Sequence, residues 1–173
     1  MNTFLSVSDE RKSAVCALLS RYEKASSDED FMHCALELAK LGGSVGEVPI
    51  GAVLVRDGIL LAGDFNGREE TKNALYHAEM SVISQGCARL GGWRLPGCTL
   101  YVTVEPCPMC AGAVWNARIP RVVIAAKDAR AGALGSLLNL NSYPLNWKPR
   151  VTFGVCEAEA RELMQTFFQA RRK

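Results

Sequence analysis

Two short stretches, far apart in the sequence, constrain the fold of this chain more than any other feature. They are His77-Ala78-Glu79 and Pro106-Cys107-Pro108-Met109-Cys110. The Cys-x-x-Cys spacing lets both sulfurs reach one ion from a single turn of backbone, and a histidine supplies a third ligand of the kind that zinc prefers. We therefore expect the chain to bring these two stretches together around one point.

The cysteine pair alone does not identify a metal site. The same spacing occurs in redox pairs, in half of a structural zinc site and in two core cysteines. The chain has only two histidines, and His77 is followed two positions later by the acid Glu79, close enough to act beside a metal without binding it. A closed structural site with Cys87 or Cys98 as a fourth ligand is the alternative, and it leaves Glu79 unexplained.

These residue types suit the hydrolysis of an amino group from an electron-poor ring. Three protein ligands leave zinc one open position for water, and zinc lowers the pKa of such a water toward about 7. Glu79 would take a proton from the water and deliver it to the substrate, because one carboxylate can be base and acid in turn. His-x-Glu followed by Pro-Cys-x-x-Cys is the signature of zinc deaminases that act on nucleobases.

The composition is that of one ordinary domain. The chain has 173 residues, 49% of them hydrophobic and 22% charged, and its net charge of +2 neither requires nor excludes a nucleic-acid partner. No apolar run approaches the ~18 to 20 residues that span a bilayer, and the first residues lack a signal-peptide pattern. We expect a cytoplasmic protein with no membrane segment. The cysteines outside the motif are expected to be free thiols, mostly buried: Cys16, Cys34, Cys87, Cys98 and Cys156.

Hydrophobic periodicity and turn residues divide the chain into alternating elements. The predicted helices are 9–22, 28–41, 77–87, 108–117 and 157–172, and the predicted strands are 49–55, 59–65, 99–104, 120–126 and 151–155. The strand–helix–strand order of the central part implies a parallel pair of strands. Both ligand stretches begin helices, where the positive end of the helix dipole favours thiolates. Residues 68–75 are expected to form a loop, and 131–141 a glycine-rich loop or short helix.

Three further polar residues have more than one interpretation. Glu105 could be a second acid, but its better role is to hold a neighbouring loop or helix start. Asn66 ends a strand that should point toward the zinc helix, where its amide could bind a base or a ribose; Asn-Gly is also a common turn dipeptide. His33 has only Glu37 near the spacing of a second ligand, so we expect it to pack or to lie at the surface.

Beyond these motifs the chain resembles bacterial tRNA adenosine deaminases, of the cytidine and deoxycytidylate deaminase superfamily, from about Asp30 to Lys173. The resemblance is carried by 47–53, Asn66, 77–79, 99–113, 118–123 and 127–137. The last of these segments is the most selective, because it resembles the part of that family that lies beside the flipped nucleotide.

The resemblance implies a three-layer α/β/α fold with a mixed central sheet of about five strands, a homodimer and one zinc ion per subunit. It implies that adenosine becomes inosine at the wobble position of a tRNA anticodon, in bacteria usually of an arginine tRNA. It makes His77, Cys107 and Cys110 the zinc ligands and Glu79 the proton shuttle. Residues 1–27 are then an N-terminal extension and 28–173 the deaminase domain.

The resemblance also suggests residues that bind the substrate. It makes Asn66 a base contact, assigns Val48 and Ala78 to the pocket, and places Asp128 by the nucleotide backbone.

The C-terminal segment, residues 167–173, resembles an RNA-contacting helix, with Phe168, Arg171 and Arg172 as candidate contacts. Aromatic and cationic side chains suit a single-stranded loop. The alternative is a solvated helix end whose cations complement the helix dipole.

Two features depart from the family pattern. Leu75-Tyr76 precedes His77 where many members carry a small pair, so we expect a narrower pocket or a different flanking nucleotide. The N-terminal extension has no usual counterpart.

Two other functions stay open at this point. One is a zinc deaminase of a free base or nucleoside, of the guanine or cytosine type. The other is a zinc-stabilised RNA-binding module without activity, which predicts a closed four-ligand site and no role for Glu79.

Overall fold

The structure, a computed structural model, describes residues 7–172. Residues 1–6 of the predicted extension and Lys173 of the predicted tail lie outside the described residues. In chain order the elements are α1 Asp9–Ser20, α2 Asp28–Ser44, β1 Gly51–Arg56, β2 Ile59–Phe65, α3 Arg68–Thr71, α4 Ala78–Leu90, β3 Cys98–Val104, α5 Pro108–Asn116, β4 Arg121–Ala126, a 3-10 helix Leu140–Ser142, β5 Arg150–Phe153 and α6 Glu157–Ala170.

The strands form one mixed sheet in the order β2-β1-β3-β4-β5. β1 pairs antiparallel with β2 and with β3, whereas the β3–β4 and β4–β5 pairs are parallel. A parallel pair needs a crossover connection, and α5 supplies it between β3 and β4. The predicted mixed sheet and its parallel pair are confirmed.

The sheet lies between two layers of helices, because side chains of each strand alternate between its faces. Leu54 and Leu100 belong to the cluster that includes α4 and α5. Val53 and Tyr101, one position away on the same strands, belong to the cluster that includes α1, α2 and α6. The three-layer α/β/α architecture is therefore confirmed.

Local sequence signals explain where α2 starts and where β1 turns into β2. The Ser27 hydroxyl accepts a hydrogen bond from Asp30 N at 3.1 Å, and the Asp30 carboxylate accepts one from Ser27 N at 3.1 Å, so a capping box starts α2. Between β1 and β2, Asp57 and Gly58 have φ values of 52° and 76°, as a tight hairpin turn with two left-handed residues requires.

The start of α2 is also tied to the sheet. Asp28 accepts hydrogen bonds from the Tyr101 hydroxyl and from Arg121 Nη1, each at 2.8 Å. Tyr101 lies on β3 and Arg121 on β4, so one carboxylate joins a helix to two strands.

Some predicted boundaries are wrong. The predicted loop 68–75 opens with the short helix α3. The last strand stops at Phe153, because Gly154 and Cys156 have φ values of 94° and 57° and leave the extended conformation. The C-terminal helix ends at Ala170, short of the predicted 172. The prediction of a loop or short helix at 131–141 is confirmed: the segment is a loop with a bridge between Leu134 and Asn139, and the 3-10 helix begins at its end.

All seven cysteines are free thiols, but most of the five outside the motif are not buried. Only Cys34 and Cys98 are buried, Cys87 and Cys156 are half-buried, and Cys16 is exposed. The expectation of burial is wrong for Cys16 because α1 buries only one stripe, including Val15 and Leu18, and leaves the other faces open. Among the described helices, none is long and apolar enough to cross a membrane.

Candidate active site

The two stretches singled out by the sequence meet at adjacent helix starts. His77 is the N-cap residue of α4, and Cys107 is the N-cap residue of α5, with Pro108 in the first turn. Proline fits there because the first helical N–H has no partner to lose. Cys110 follows in the same turn and is fully buried. The positive ends of both helix dipoles therefore point at the same place.

The three predicted ligand atoms lie at the spacing of a metal site. His77 Nδ1 is 3.8 Å from Cys107 Sγ and 3.6 Å from Cys110 Sγ. Zinc binds histidine nitrogen at about 2.0 Å and thiolate at about 2.3 Å, which at a tetrahedral angle puts the two ligand atoms about 3.5 Å apart. All three atoms lie within 4.8 Å of one another. The donor set and its geometry thus fit one zinc ion.

The sulfurs and the imidazole share protons. A hydrogen bond from Cys110, followed by one from His77, lowers the pKa of Cys107 to about 4 despite its partial burial. The bond between the sulfurs raises the pKa of Cys110, and the bond to Cys107 raises the pKa of His77. One thiolate is therefore formed at neutral pH, and metal binding to such a set releases the remaining protons.

Glu79 lies beside this set without joining it. It is only 3% exposed, and burial raises the pKa of its carboxyl group. Within residues 7–172, its Oε2 has no hydrogen-bond partner. Buried polar atoms are nearly always paired, so an unpaired carboxylate oxygen next to a ligand set marks a group that serves a ligand or substrate.

Asn66 is joined to the same turn. Its side-chain Oδ1 accepts a hydrogen bond from Ala78 N at 3.1 Å, and its own N donates to Ile50 O at 3.0 Å. Asn66 is 3% exposed, and Ala78 is fully buried. Asn66 thus braces the start of α4 through its side-chain oxygen, which leaves the NH2 group as a donor. Its contact with a base stays a prediction.

Glu105 holds a loop, as predicted. Its Oε1 accepts hydrogen bonds from Leu134 N and Ser136 N, each at 3.0 Å, and its Oε2 accepts from Asp128 N at 3.2 Å and from the Ser136 hydroxyl. Four donors satisfy this buried carboxylate, so Glu105 fixes the 128–136 loop against the end of β3.

Gly132 makes that arrangement possible. A Cβ atom at this position would lie 2.4 Å from Glu105 Cδ and 2.5 Å from Asp128 O. No side chain fits there, which explains a glycine in the segment that resembles the nucleotide-contacting part of the family.

Val48 and Asp128, which are also predicted to bind the substrate, make contacts within their own loops. Val48 is half-buried, and its carbonyl accepts from Ile50 N at 2.7 Å in a tight turn. Asp128 Oδ1 accepts from Arg130 N at 2.8 Å and from Ala131 N at 3.3 Å, so its carboxylate stabilises the loop that carries it. Their contacts with a substrate stay predictions.

The C-terminal tail reaches the loop before β1. Arg171 donates to Gly46 O at 2.5 Å, and its guanidinium lies 4.4 Å from the centre of the Phe167 ring. Phe168 is 44% exposed, and Arg172 is exposed. Arg171 thus contacts a residue two positions before Val48 in the chain, while the Phe168 ring and the Arg172 guanidinium stay exposed to solvent.

His33 lies at the surface, as expected. Its Nε2 is 3.2 Å from Glu159 Oε1 and 3.6 Å from Cys156 Sγ. The side chains of His33 and Glu159 are 46% and 49% exposed, and a hydrogen bond between them accounts for the contact.

Sequence reasoning missed a buried cluster behind Asn66. Arg11 and Asp64 are 6% and 4% exposed, and they form an ion pair with 2.7 Å between Nη2 and Oδ1. The Tyr76 hydroxyl donates to Asp64 at 3.0 Å, and the expected effect of Tyr76 on the pocket stays a prediction. The one signal in the sequence is an aspartate inside the otherwise apolar strand β2, which needs a cation.

Comparison with known proteins places the chain. A family model, the cytidine and deoxycytidylate deaminase zinc-binding region, matches residues 25–126. A tRNA-specific adenosine deaminase of Bacillus subtilis (strain 168) is 47% identical over 147 residues, which are 84% of this chain and 91% of that protein.

Solved structures agree with this placement. One from a study of A-to-I editing by tRNA:A34 deaminases at the wobble position of transfer RNA is 45% identical, with a TM-score of 0.75 over 77% of this chain and 97% of that one. A guanine deaminase from Nitrosomonas europaea shares the fold, with a TM-score of 0.77 at 22% identity over 96% and 97% of the two chains. The resemblance is confirmed: the chain belongs to the tRNA-specific adenosine deaminases, within the cytidine and deoxycytidylate deaminase family.

Proposed function

We propose that this protein hydrolyses adenosine to inosine at the wobble position of a tRNA anticodon, with release of ammonia. The observation that carries the proposal is the meeting of His77, Cys107 and Cys110 beside the buried, unpaired Oε2 of Glu79. The B. subtilis relative, alike over most of both chains, is a tRNA-specific adenosine deaminase. We further propose an arginine tRNA as the substrate.

We infer that His77, Cys107 and Cys110 hold one zinc ion per subunit. When bound with three protein ligands, zinc activates water for attack on an electron-poor carbon. The donor types and the 3.6 and 3.8 Å separations support zinc over metals that prefer oxygen ligands. A fourth cysteine is not needed: Cys98 and Cys87 pack in or against the apolar cluster.

Glu79 moves the protons. Its Oε2 takes a proton from the attacking water and passes it to the ring nitrogen, while the water oxygen bonds to the ring carbon that bears the amino group. The same carboxylate then transfers the second proton of the water to the amino group, which leaves as ammonia as the carbonyl forms. Burial raises the pKa of Glu79, which suits a group that must hold a proton between these two transfers.

Asn66 orients the base. Its oxygen is taken by Ala78 N, so its NH2 group is the part that donates to an acceptor on the purine. Val48 and Asp128 lie on the loops at either side of the site in our proposal, the first against the base and the second by the nucleotide backbone. The 128–136 loop is held by Glu105, which supports a preformed nucleotide site.

We propose that the anticodon loop continues from the pocket onto the C-terminal tail. The exposed ring of Phe168 suits base stacking, and Arg171 and Arg172 suit phosphate contacts. The bond from Arg171 to Gly46 supports a tail that borders the loop leading to Val48.

The active form is, in our proposal, a cytoplasmic homodimer. The loop after β4 exposes three large apolar side chains, Leu137 at 55%, Leu138 at 43% and Tyr143 at 54%, which a second copy of the chain would cover. A set of thiolate ligands suits a reducing compartment, where tRNA substrates occur. Light scattering on the purified protein tests the dimer.

A panel of substrates tests the function. Ammonia release is measured with an anticodon stem-loop that carries adenosine at the wobble position, with free adenosine, with guanine and with cytosine. Turnover of the stem-loop alone is the expected result. The Nitrosomonas structure, a guanine deaminase of the same fold, makes guanine the sharpest competitor, and turnover of a free base without turnover of RNA would replace the proposal with small-molecule salvage.

A further inference from the structure

Helix α1 sends one charged side chain into the interior behind the active site. Arg11 is 6% exposed, and its guanidinium carbon lies 3.7 Å from the centre of the Phe65 ring and 4.9 Å from that of Tyr76. A buried cation is costly unless it is paired and all its donors are used. The partners of Arg11 should therefore explain why it is there.

Every part of the guanidinium is used, and its partners lie around Asn66. Nε and Nη2 donate to Asp64 Oδ1 at 3.2 and 2.7 Å, and Nη2 also donates to Phe65 O. Nη1 donates to Asn66 O at 3.3 Å and to Glu70 Oε2 at 3.0 Å. Arg11 thus ties the backbone at the end of β2 to the start of α3.

The second oxygen of Asp64, Oδ2, extends the network to α4. It accepts from the Tyr76 hydroxyl at 3.0 Å and from the Ser81 hydroxyl. Tyr76 immediately precedes His77, and Ser81 N donates to His77 O at 3.1 Å. The network therefore holds the chain on both sides of the candidate ligand.

Gly67 completes the space for the cation. A Cβ atom there would lie 2.7 Å from Arg11 Nη1 and 2.8 Å from Tyr76 Cδ1. Its own N donates to Tyr76 O at 3.1 Å, so the backbone after Asn66 runs against the backbone before His77. The guanidinium therefore fills the space where the backbone after Asn66 meets the backbone before His77.

We propose that Arg11 is a positioning residue of the active site, which fixes Asn66 and the turn that carries His77. Helix α1, which lies in the predicted N-terminal extension, then contributes to the geometry of the active site. Arg11 acts through its bond to the Asn66 carbonyl, while the Asn66 side chain is held to Ala78 N and keeps its NH2 group toward the base. The role in turnover rests on the proposed function, and the geometric role does not.

The first test needs no substrate. Hydrogen exchange of peptides that cover residues 66–81 is compared in Arg11→Met, in Lys12→Met and in the unaltered zinc-loaded protein. Lys12 is the neighbouring cation on α1, 58% exposed and paired with Asp9, and it is the matched control. We expect at least about tenfold faster exchange at Ala78 only in Arg11→Met, and unchanged exchange there would overturn the proposal.

The second test separates positioning from general stability. kcat/KM on the wobble stem-loop is measured for Arg11→Met, Asn66→Ala and the double variant, with zinc content and folding checked in each. We expect Arg11→Met to lower kcat/KM about ten- to a hundredfold in the unaltered background and less than about twofold in the Asn66→Ala background. An equal loss in both backgrounds would mean that Arg11 acts on stability alone.

One further variant and the exchange experiment keep the test usable. If Arg11→Met does not fold, Arg11→Met with Asp64→Asn removes the unpaired buried carboxylate and is used in its place; it is expected to regain stability but not kcat/KM, and full recovery of kcat/KM would overturn the proposal. If the protein has no turnover on RNA, the proposed function fails, and the exchange experiment still decides the role of Arg11.

Discussion

Asn66 serves two purposes with one amide at the scale of single residues. Its side-chain Oδ1 accepts from Ala78 N, and its backbone carbonyl accepts from Arg11. In our proposal the side-chain NH2 group donates to the base, so that one side chain both holds the start of α4 and recognises the substrate. A substitution can therefore remove the NH2 donor of Asn66 and keep its oxygen acceptor.

Asn66→Asp keeps an oxygen for Ala78 N and removes the donor to the base. We expect kcat/KM on the wobble stem-loop to fall about ten- to a hundredfold, because one hydrogen bond to a buried polar group is lost, while zinc content stays at one per subunit. Steady-state kinetics and metal analysis measure this. Unchanged kcat/KM would remove Asn66 from base recognition.

The candidate ligand set and the Arg11–Asp64 pair differ in how well the sequence predicts them. His77, Cys107, Cys110 and Glu79 follow from spacing, because ligand chemistry restricts both residue type and distance along the chain. The Arg11–Asp64 pair does not, since any of the 20 basic residues could have been the partner of a buried aspartate. Pairing across distant elements is decided by packing, which spacing does not encode.

Glu105 and Gly132 act together at the scale of elements. The carboxylate accepts four hydrogen bonds from the 128–136 loop, and the missing side chain at 132 lets that loop approach. The loop is thus shaped by Glu105, the residue that follows β3. A rigid loop here would border the substrate in our proposal.

Gly132→Ala should displace this loop. A Cβ atom 2.4 Å from Glu105 Cδ cannot be accommodated, so we expect the free energy of unfolding to fall by about 1 to 3 kcal/mol. Gly92→Ala is the control, because nothing lies within 4 Å of a Cβ atom there. Urea unfolding of both variants decides the matter, and equal stability of the two would contradict the role given to the close approach.

Asp28 anchors α2 to the sheet through Tyr101 and Arg121, and this contact depends on pH. The hydrogen bond from Arg121 holds the pKa of Asp28 below its usual range. A carboxyl group whose pKa is lowered by folding adds stability above its unfolded pKa of about 3.9, and that stability is lost as the pH falls through the folded-state pKa.

Asp28→Asn is therefore expected to lower the free energy of unfolding by about 1 kcal/mol at pH 7, a modest value because the pair is partly exposed. The difference from the unaltered protein should narrow below pH 4. Unfolding in urea at several pH values measures it, with Asp57→Asn at the exposed hairpin turn as control. A difference that is constant from pH 7 to pH 3 would show that ionisation of Asp28 is not the cause.

Element boundaries followed the sequence where local chemistry decides them. The starts of α2 and α5 and the hairpin between β1 and β2 depend on short-range signals, and their predicted positions are confirmed. The end of β5 and the helix α3 were not, because left-handed residues such as Cys156 and a single helical turn leave no periodic pattern.

The C-terminal tail concerns the whole molecule, because in our proposal its contacts favour an RNA over a free base as the substrate. Phe168 and Arg172 are exposed at the end of α6, and Arg171 bridges to the loop before β1. The sequence suggested these residues only through family resemblance, since cations at a helix end also complement its dipole.

Arg172→Ala is expected to weaken binding of the stem-loop and to reduce the slope of log K against log salt by about 0.7 to 0.9, the share of one phosphate contact. Arg161→Ala removes a cation from the same helix, where it pairs with Glu157, and is the matched control. Fluorescence anisotropy at several salt concentrations gives both slopes. If the slopes of the two variants are equal, Arg172 makes no phosphate contact.

The most direct test of the central claim compares the zinc-loaded protein with Glu79→Gln on a stem-loop with adenosine at the wobble position. We expect one zinc ion per subunit in both, inosine formed by the unaltered protein, and turnover lower by about 10² to 10⁴ in Glu79→Gln, because the amide cannot take a proton from water. Equal turnover in the two proteins, or loss of zinc from Glu79→Gln, would contradict it.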